Sequence, residues 1–171
     1  MTDIPKLIEG GLYADERGSL AFVNDFDLQD TRRFYTITHP DINVIRAWQG
    51  HKNETKWFFC SKGSFEVLLV EIDDWEKPSH DLKVVSYHLS ENNSRILFVP
   101  SGYANGFKAN EPSSTLLVFS DKGLEESKND DFRFDKNLWY NWGKTGNVHD
   151  DKTQPKKTAN GVMINPRGGL I

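Results

Sequence analysis

The sequence predicts an all-β protein, folded as a sandwich or closed barrel of antiparallel strands, and three observations support this prediction. Long apolar stretches with the 3.6-residue period of an amphipathic helix are scarce. Val, Ile, Phe, Tyr and Thr collect instead in short segments of the length that strands usually have. Asn, Gly, Pro and Asp interrupt these segments at close spacing, which favours tight turns over helical crossovers.

In chain order, the β-type segments are 19–23, 33–38, 43–48, 56–60, 64–72, 83–89, 95–99, 106–109 and 115–120. Turn-forming residues separate them at 39–41, 61–63, 90–93 and 110–112. Short strands at this spacing bury one face against a second sheet, or close on themselves and so remove their exposed edges. We expect a single domain over residues 1–142, followed by a polar, turn-rich extension over residues 143–171.

Composition argues against several classes of function. The chain has 171 residues and a net charge of −4, and its Lys and Arg residues are scattered. A nucleic-acid partner requires a concentrated cationic surface, so none is expected. No apolar run approaches the ~20 residues of a membrane span, and the first residues lack the features of a signal peptide. The single cysteine, Cys60, allows no internal disulfide, so we expect a cytoplasmic protein with Cys60 in its core.

The most informative block runs from Arg46 to Gly63. Its spacing resembles the first motif of the cupins, which holds two histidines, a glutamate and a glycine. The second cupin motif, Pro-x-Gly-x-x-His, resembles residues 100–105 (Pro-Ser-Gly-Tyr-Ala-Asn). The resemblance implies a jelly-roll barrel of the cupin type. The family's four metal-ligand positions are occupied here by Gln49, His51, Lys56 and Asn105, so we expect neither a metal nor another cofactor.

Metal-free cupins with a lysine at the glutamate position include the dTDP-4-dehydrorhamnose 3,5-epimerases and the dTDP-sugar 3,4-ketoisomerases. This chain resembles the epimerases in four further segments: 15–18 (Asp-Glu-Arg-Gly), 89–92, 99–107 and 135–142. Residues 33–37 (Arg-Phe-Tyr-Thr-Ile) resemble a strand of the ketoisomerases. The resemblance covers about residues 12–142. It implies a small-molecule nucleotide-sugar substrate and a homodimer that shares strands between subunits.

Two departures from the epimerase pattern bear on the mechanism. The epimerases place their catalytic histidine at the position of Gln49, and their general-acid tyrosine lies in the stretch that matches residues 120–123 (Ser-Asp-Lys-Gly). An amide cannot abstract a carbon-bound proton at neutral pH. The ketoisomerase pattern Arg-Gly-x-His-x-His-Lys keeps its second histidine here, as His51 followed by Lys52.

The resemblance assigns candidate roles to particular residues. Loss of a proton beside a ketone forms an enolate, whose charge must be stabilised by fixed cations or donors. We expect His51 to be the base, because its ordinary pKa of ~6.5 suits the task. Lys56 and Arg46 are expected to stabilise the enolate. The expected substrate-binding residues are Arg17 on the diphosphate, Tyr35 or Trp48 stacked on the base or sugar, Gln49 and Asn105.

The other histidines, at 39, 80, 88 and 149, show no ligand spacing and are expected on the surface or in strands. The pair Asp130-Asp131 is expected on a solvated loop. Two functions that involve a ligand stay open at this point, beside a structural or regulatory barrel whose cavity would be filled with apolar side chains. The first is an isomerase or epimerase of a nucleotide-linked 4-keto-6-deoxy sugar, supplying deoxysugars for surface polysaccharide. The alternative is a non-catalytic cupin that binds a nucleotide sugar and has lost the acid and base of the epimerases.

Overall fold

A computed structural model describes residues 3–143, and nearly all of their regular structure is β. The elements are β1 (Lys6–Glu9), β2 (Gly11–Asp15), β3 (Gly18–Phe22), β4 (Arg33–His39), β5 (Ile45–His51), β6 (Lys56–Lys62), β7 (Ser64–Glu71), β8 (Val84–Ser90), β9 (Arg95–Val99), β10 (Tyr103–Ala109), β11 (Ser114–Ser120), α1 (Leu124–Lys128) and β12 (Phe132–Arg133). Every pair of neighbouring strands in this part of the chain is antiparallel. The predicted all-β class is therefore confirmed.

Ten strands form two five-stranded sheets. The first sheet has the order β1-β9-β6-β11-β4, and the second has the order β12-β5-β10-β7-β8. From β4 to β7, and again from β8 to β11, consecutive strands alternate between the sheets, which is the connectivity of a jelly roll. Within residues 3–143 no ladder joins the two sheets, so the domain is a sandwich rather than a closed barrel.

The main core lies between the sheets and follows from the period of two along each strand. In β11, Leu116 and Val118 are fully buried, while the residues that alternate with them along the strand are only partly buried. They pack in one cluster with Phe58 of β6 and with Val67 and Phe107 of the second sheet. Burying one such side chain contributes about 1.5–3 kcal/mol, so this interleaved layer supplies much of the driving force for folding.

A second apolar cluster covers the outer face of the second sheet. Trp48 of β5 packs there against Trp142 and Trp139, which follow β12. The indole N–H of Trp142 donates to the carbonyl of Lys136, and that of Trp139 donates to the carbonyl of Ser79. The chain after β12 is therefore docked on this face at least as far as Trp142. Of the expected extension 143–171, only Gly143 is among the described residues.

A bulge in β5 decides which of its side chains face the core. Gln49 lies opposite Asn105 of β10, but Arg46 lies opposite Phe107, so β5 has one more residue than β10 over this interval. Arg46 and Gln49 therefore point to the same side, although they are three positions apart. Gly106 lies at this irregularity, and a Cβ there would come within 2.8 Å of the Cβ of Ala47.

Three strands and the helix were not predicted from the sequence: β1, β2, β12 and α1. The strands β2 and β3 form a separate hairpin that pairs with neither large sheet. In residues 3–143, no helix is long and apolar enough to cross a membrane.

Candidate active site

A cavity of about 430 Å³ opens between the sheets at one side of the sandwich. On this side β4 is the edge strand of the first sheet, and β12, next to β5, is the edge strand of the second. Inward-facing side chains of β4, β5, β6 and β10 line it, and α1 with the residues after it covers part of its mouth. A larger recess, of about 1110 Å³, lies between β1 and β8 on the opposite side. The buried ionisable residues His51, Glu54 and Lys56 all cluster at the smaller cavity, which is therefore the candidate site.

The smaller cavity is strongly cationic. Among the described residues that line it, five carry a positive charge and one, Asp131, carries a carboxylate. The cations are Arg33, Arg46, Lys56, Lys128 and Arg133. Because the whole chain has a net charge of −4, this concentration of positive charge is local. It makes the cavity suited to an anionic ligand.

His51 and Lys56 meet because the turn between β5 and β6 carries the chain from one sheet to the other. The Asp130 carboxylate accepts hydrogen bonds from the backbone N–H groups of Lys52, Asn53 and Glu54. Asp121 accepts another from the N–H of Thr55. With the turn held at both ends, Nζ of Lys56 lies 2.6 Å from Nε2 of His51.

Glu54 joins this pair to the first sheet. Its carboxylate accepts hydrogen bonds from the hydroxyls of Ser120 (2.6 Å) and Ser127 (2.7 Å), and Nη2 of Arg33 lies 3.1 Å from Oε1. Oε2 lies 3.0 Å from Nδ1 of His51, but the two atoms do not form a hydrogen bond. The Glu54 side chain has no exposed surface, so this carboxylate is a buried charge compensated on several sides.

Burial and neighbouring charges shift the acid–base properties of all three groups. The pKa of Lys56 is lowered to about 8, chiefly by burial, with Glu54 opposing the shift and the nearby guanidinium of Arg33 adding to it. Burial and then the Lys56 ammonium lower the pKa of His51. Burial raises the pKa of Glu54, but Lys56 and the two serine hydroxyls outweigh it and bring that pKa below its ordinary value. At neutral pH the cluster therefore pairs an anionic Glu54 with a neutral imidazole.

Several residues expected from the sequence line this cavity: Tyr35, Arg46, Gln49, Lys56 and Asn105. Burial raises the pKa of Tyr35 to about 12, so its phenol is un-ionised. The amide of Gln49 donates to Asp131, and the amide of Asn105 donates to the backbone carbonyl of Gln49.

Three expected residues lie elsewhere. His51 is 2% exposed and is not among the described residues that line the cavity, because Lys56 stands in front of it. Trp48 was expected to stack on the substrate. The residues before and after it in β5 line the cavity, but its own ring packs on the outer face of the second sheet. Arg17 lies at the tip of the β2–β3 hairpin, 81% exposed, and is paired with Asp15 rather than placed in the cavity of its own chain.

Sequence reasoning missed Glu54 and Arg33 and misplaced the Asp130-Asp131 pair. Asp130 is not solvated as expected, because it is 7% exposed and anchors the β5–β6 turn, whereas Asp131 is exposed at the mouth of the cavity that it lines. A signal was present in the sequence, because Glu54 lies three residues after His51 and two before Lys56. Its partners, however, come from distant parts of the chain.

The four positions that match the metal-binding motifs of the cupins do not assemble a metal site in residues 3–143. In residues 3–143, no group of three or more His, Cys, Asp or Glu side chains could hold a metal ion. The Lys56 amine takes the position beside His51 that a ligand would need. The cavity offers cations and amides rather than ligands for a cation.

Comparison with known proteins gives one family. The model of the dTDP-4-dehydrorhamnose 3,5-epimerases matches residues 6–158. The spore coat polysaccharide biosynthesis protein SpsL of Bacillus subtilis is 25% identical over 138 residues, which cover 76% of this chain and 89% of SpsL.

Solved structures share the fold. A dTDP-4-dehydrorhamnose 3,5-epimerase from Bacillus anthracis, with TDP and pyrophosphate bound, is 23% identical with a TM-score of 0.66, covering 84% of this chain and 87% of that one. A mutant of the 3,4-ketoisomerase QdtA from Thermoanaerobacterium thermosaccharolyticum, in complex with TDP-4-keto-6-deoxyglucose, is 22% identical with a TM-score of 0.59, covering 78% and 90%.

Proposed function

The chain belongs to the dTDP-4-dehydrorhamnose 3,5-epimerase family, and we propose that it isomerises or epimerises a nucleotide-linked 4-keto-6-deoxy sugar. Membership confirms the family expected from the motifs and makes an enzyme the favoured reading over a non-catalytic binding protein. The proposed reaction begins with removal of a proton from a carbon next to the ketone.

The single observation that carries the proposal is the cationic cavity with a buried acid–base cluster at its wall. A diphosphate and an enolate are both anions, so both are stabilised by the same set of fixed cations. Arg46 lines the cavity and has no ion-pair partner among residues 3–143, which leaves it to contact the ligand. Arg133 and Lys128 also line it, paired with Asp131 and Glu125 respectively. Strongly shifted pKa values cluster at catalytic sites, so the lowered pKa of Lys56, about 8, favours catalysis over binding alone.

Exchange of substrate protons with solvent tests this function. The protein is incubated with dTDP-4-keto-6-deoxyglucose in deuterated water, and the deuterium positions are read by NMR. We expect enzyme-dependent incorporation next to the ketone. Deuterium at C4 of a 3-keto product indicates 3,4-ketoisomerisation, while exchange at C3 and C5 of the 4-keto sugar indicates 3,5-epimerisation. Tight binding of dTDP without exchange, for this and other nucleotide-linked 4-keto sugars, would make the protein a binding protein instead.

We further propose that the working form is a homodimer in which the β2–β3 hairpin of one subunit reaches the cavity of the other. The hairpin exposes Leu12 (43%), Tyr13 (49%) and Leu20 (50%), although it pairs with neither large sheet of its own subunit. Strand β4 borders the cavity and is an edge strand, with Phe34 68% exposed on its outer face. An apolar hairpin and an unpaired edge strand are suited to pair across an interface. Such pairing brings Arg17 to the mouth of the partner's cavity.

Mixed dimers test this arrangement. Arg17→Ala should weaken binding of dTDP by more than tenfold, since a charge-assisted contact contributes roughly 1.5–3 kcal/mol. Arg17→Ala and Lys56→Met subunits are then unfolded and refolded together. If Arg17 acts in the partner's site, about a quarter of wild-type exchange should return, because half of the random dimers hold one complete site. No recovery, or a monomeric wild type in sedimentation, would count against the shared site.

The biological setting follows from the proposed substrate. A nucleotide-linked sugar is made from nucleoside triphosphates, so we propose that the enzyme acts in the cytoplasm and supplies a deoxysugar for surface polysaccharide. The similarity to a spore coat polysaccharide biosynthesis protein supports this setting.

A further inference from the structure

We propose that Lys56, rather than His51, takes the proton from the substrate, and that His51 and Glu54 act behind it as a positioning and relay pair. This inference rests on the proposed isomerase function and names the residues that perform it. It changes the role expected for His51 from the sequence, where His51 was the base and Lys56 a stabilising cation.

The first support is the order of the groups as seen from the cavity. Lys56 lines the cavity, whereas His51 is not among the described residues that do so. The two nitrogens are 2.6 Å apart, and the imidazole is 2% exposed. A substrate carbon in the cavity therefore meets the amine before the ring. General base catalysis requires direct reach to the proton, which favours Lys56.

The second support is the direction of the hydrogen bonds behind Lys56. When the amine of Lys56 donates to Nε2 of His51, the neutral ring carries its proton on Nδ1. That nitrogen lies 3.0 Å from Oε2 of Glu54. Ser120, Ser127 and Arg33 hold the carboxylate from the other side. The hydrogen bond from Lys56 to Nε2 thus orients the lone pair of the amine, and the Glu54 carboxylate close to Nδ1 stabilises positive charge on the ring when it takes a proton.

The third support is the charge balance around the amine. Burial and the guanidinium groups of Arg33 and Arg133 lower the pKa of Lys56, while Glu54 and Asp131 raise it, and the result is about 8. A useful fraction of the amine is therefore uncharged near neutral pH. An ordinary exposed lysine, with a pKa of about 10.4, holds far less of its free base there.

The proton-transfer step is balanced within the cavity. The uncharged Nζ of Lys56 forms a bond to the proton on the carbon next to the ketone. The electron pair of the broken C–H bond becomes the C=C bond of an enolate, and the negative charge moves to the ketone oxygen, facing Arg46 and the other cations. Lys56, now an ammonium, shares a proton with Nε2 of His51, while Nδ1 faces Glu54. Return of a proton to carbon, on the same or the opposite face, restores the ketone.

The first experiment compares single variants by deuterium exchange. Lys56→Met keeps an unbranched side chain one atom shorter and removes the amine, so exchange should fall by at least ~100-fold, as for loss of a positioned general base. His51→Asn can still accept a hydrogen bond and should lose less. Lys62→Met is the matched control on the same strand, because Lys62 is exposed and outside the cavity, and it should behave as wild type. Wild-type exchange in Lys56→Met would overturn the proposal, while absence of exchange in the wild type would overturn the proposed function itself.

The second experiment changes the basicity of the amine without removing it. In a Cys60→Ala background, Lys56→Cys is treated with 2-bromoethylamine, which builds a less basic amine of nearly the same length. Deuterium exchange should return, and it should begin to rise at a lower pH than in the Cys60→Ala protein that keeps Lys56. Recovery with an unchanged pH profile would show that another group is the base.

The third experiment tests the positioning role of Glu54. Glu54→Gln removes the negative charge that raises the pKa of Lys56, so the rising limb of exchange against pH should move to lower pH from its wild-type position near 8. The maximum rate should also fall, because the ring of His51 loses its anionic partner. A purely structural role would lower the amount of folded protein, but it would leave the pH profile in place and so contradict the relay.

Discussion

Two buried histidines lie in the interior of the sandwich, and their surroundings differ. His39 ends β4 and is 0% exposed, while His51 ends β5 and is 2% exposed. The ring of His39 packs between those of Phe65 and Phe107, with centroids 5.3 and 5.6 Å away, and neither of its nitrogens has a hydrogen-bond partner in the described structure. The ring of His51 lies between an amine at 2.6 Å and a carboxylate at 3.0 Å.

The difference teaches that burial of a titratable group does not by itself make a site. Burial lowers the pKa of both histidines, and a cation contributes in each case: Arg46 at His39 and Lys56 at His51. Only His51, however, has partners that can pass a proton and a neighbour that reaches a cavity. His39 is a polar group held in an apolar core at a cost to stability. The two environments should therefore respond differently to substitution.

The surroundings of His51 should be more sensitive than those of His39 to the loss of a single hydrogen-bonding partner. Glu54→Ala leaves the guanidinium of Arg33 and two serine hydroxyls without their buried acceptor. We expect a loss of about 3–5 kcal/mol in the free energy of unfolding, as for breaking a buried ion pair, measured by urea denaturation. The control is Glu126→Ala, which removes an exposed carboxylate paired with Arg32 and should cost no more than about 1 kcal/mol. Equal losses in the two variants would mean that the buried carboxylate contributes no more to stability than the exposed one.

At His39 a substitution should raise the free energy of unfolding rather than lower it. His39→Leu replaces two unpaired nitrogens by apolar atoms of similar bulk among Phe65 and Phe107. An unsatisfied buried polar group costs about 1–3 kcal/mol, so the variant should gain up to that amount of stability, and its deuterium exchange should be unchanged. A clear loss of stability would show that the ring of His39 has a bonding partner in solution.

The pH dependence of stability should depend on the same histidine. In the folded protein burial holds the pKa of His39 below its ordinary value, so the unfolded chain binds this proton more readily than the native one. The contribution of His39 is therefore complete above about pH 6.5 and is lost as the pH falls below it, by up to ~1.4 kcal/mol per pH unit. His39→Leu should flatten the loss of stability between pH 7 and pH 5 in denaturation series. An unchanged slope would assign the whole effect to other groups.

The smallest effect concerns the thiol in the apolar core. Cys60 is 2% exposed, and burial raises its pKa to about 11. We expect no reaction with iodoacetamide at pH 8 in the native protein and complete alkylation after unfolding, followed by mass spectrometry. Rapid labelling of the native protein would mean that the core around Cys60 opens to solvent.

Much of the fold could be predicted because strands repeat every two residues, and this period is written locally in the sequence. The segment predicted at 115–120 differs from β11 by one residue, and 95–99 coincides with β9. The strands β1 and β12 were missed because they have four and two residues, too few to show the period against their neighbours. The hairpin of β2 was missed because both of its faces are largely exposed, so it shows little alternation.

The candidate site could be predicted only in part. Arg46, Lys56 and Tyr35 stand out by type and motif, and all three line the cavity. Glu54 did not stand out, because its importance comes from Ser120 and Ser127, which are 66 and 73 positions away. A local pattern does not reveal which distant side chains will surround a residue.

Most of the strands can be predicted from the sequence alone, as can the turn residues between them, the family and the set of chemically capable side chains, because each depends on neighbours within a few positions. Tertiary structure decided how those side chains are ordered around the cavity. The bulge in β5 brings Arg46 to the same side as Gln49 and leaves Trp48 on the other face. The crossing from β5 to β6, tied down by Asp130, sets Lys56 in front of His51. The physical reason is that register and sheet packing are fixed by contacts between strands far apart in the chain, so one extra residue in a strand reverses which side chains face the core.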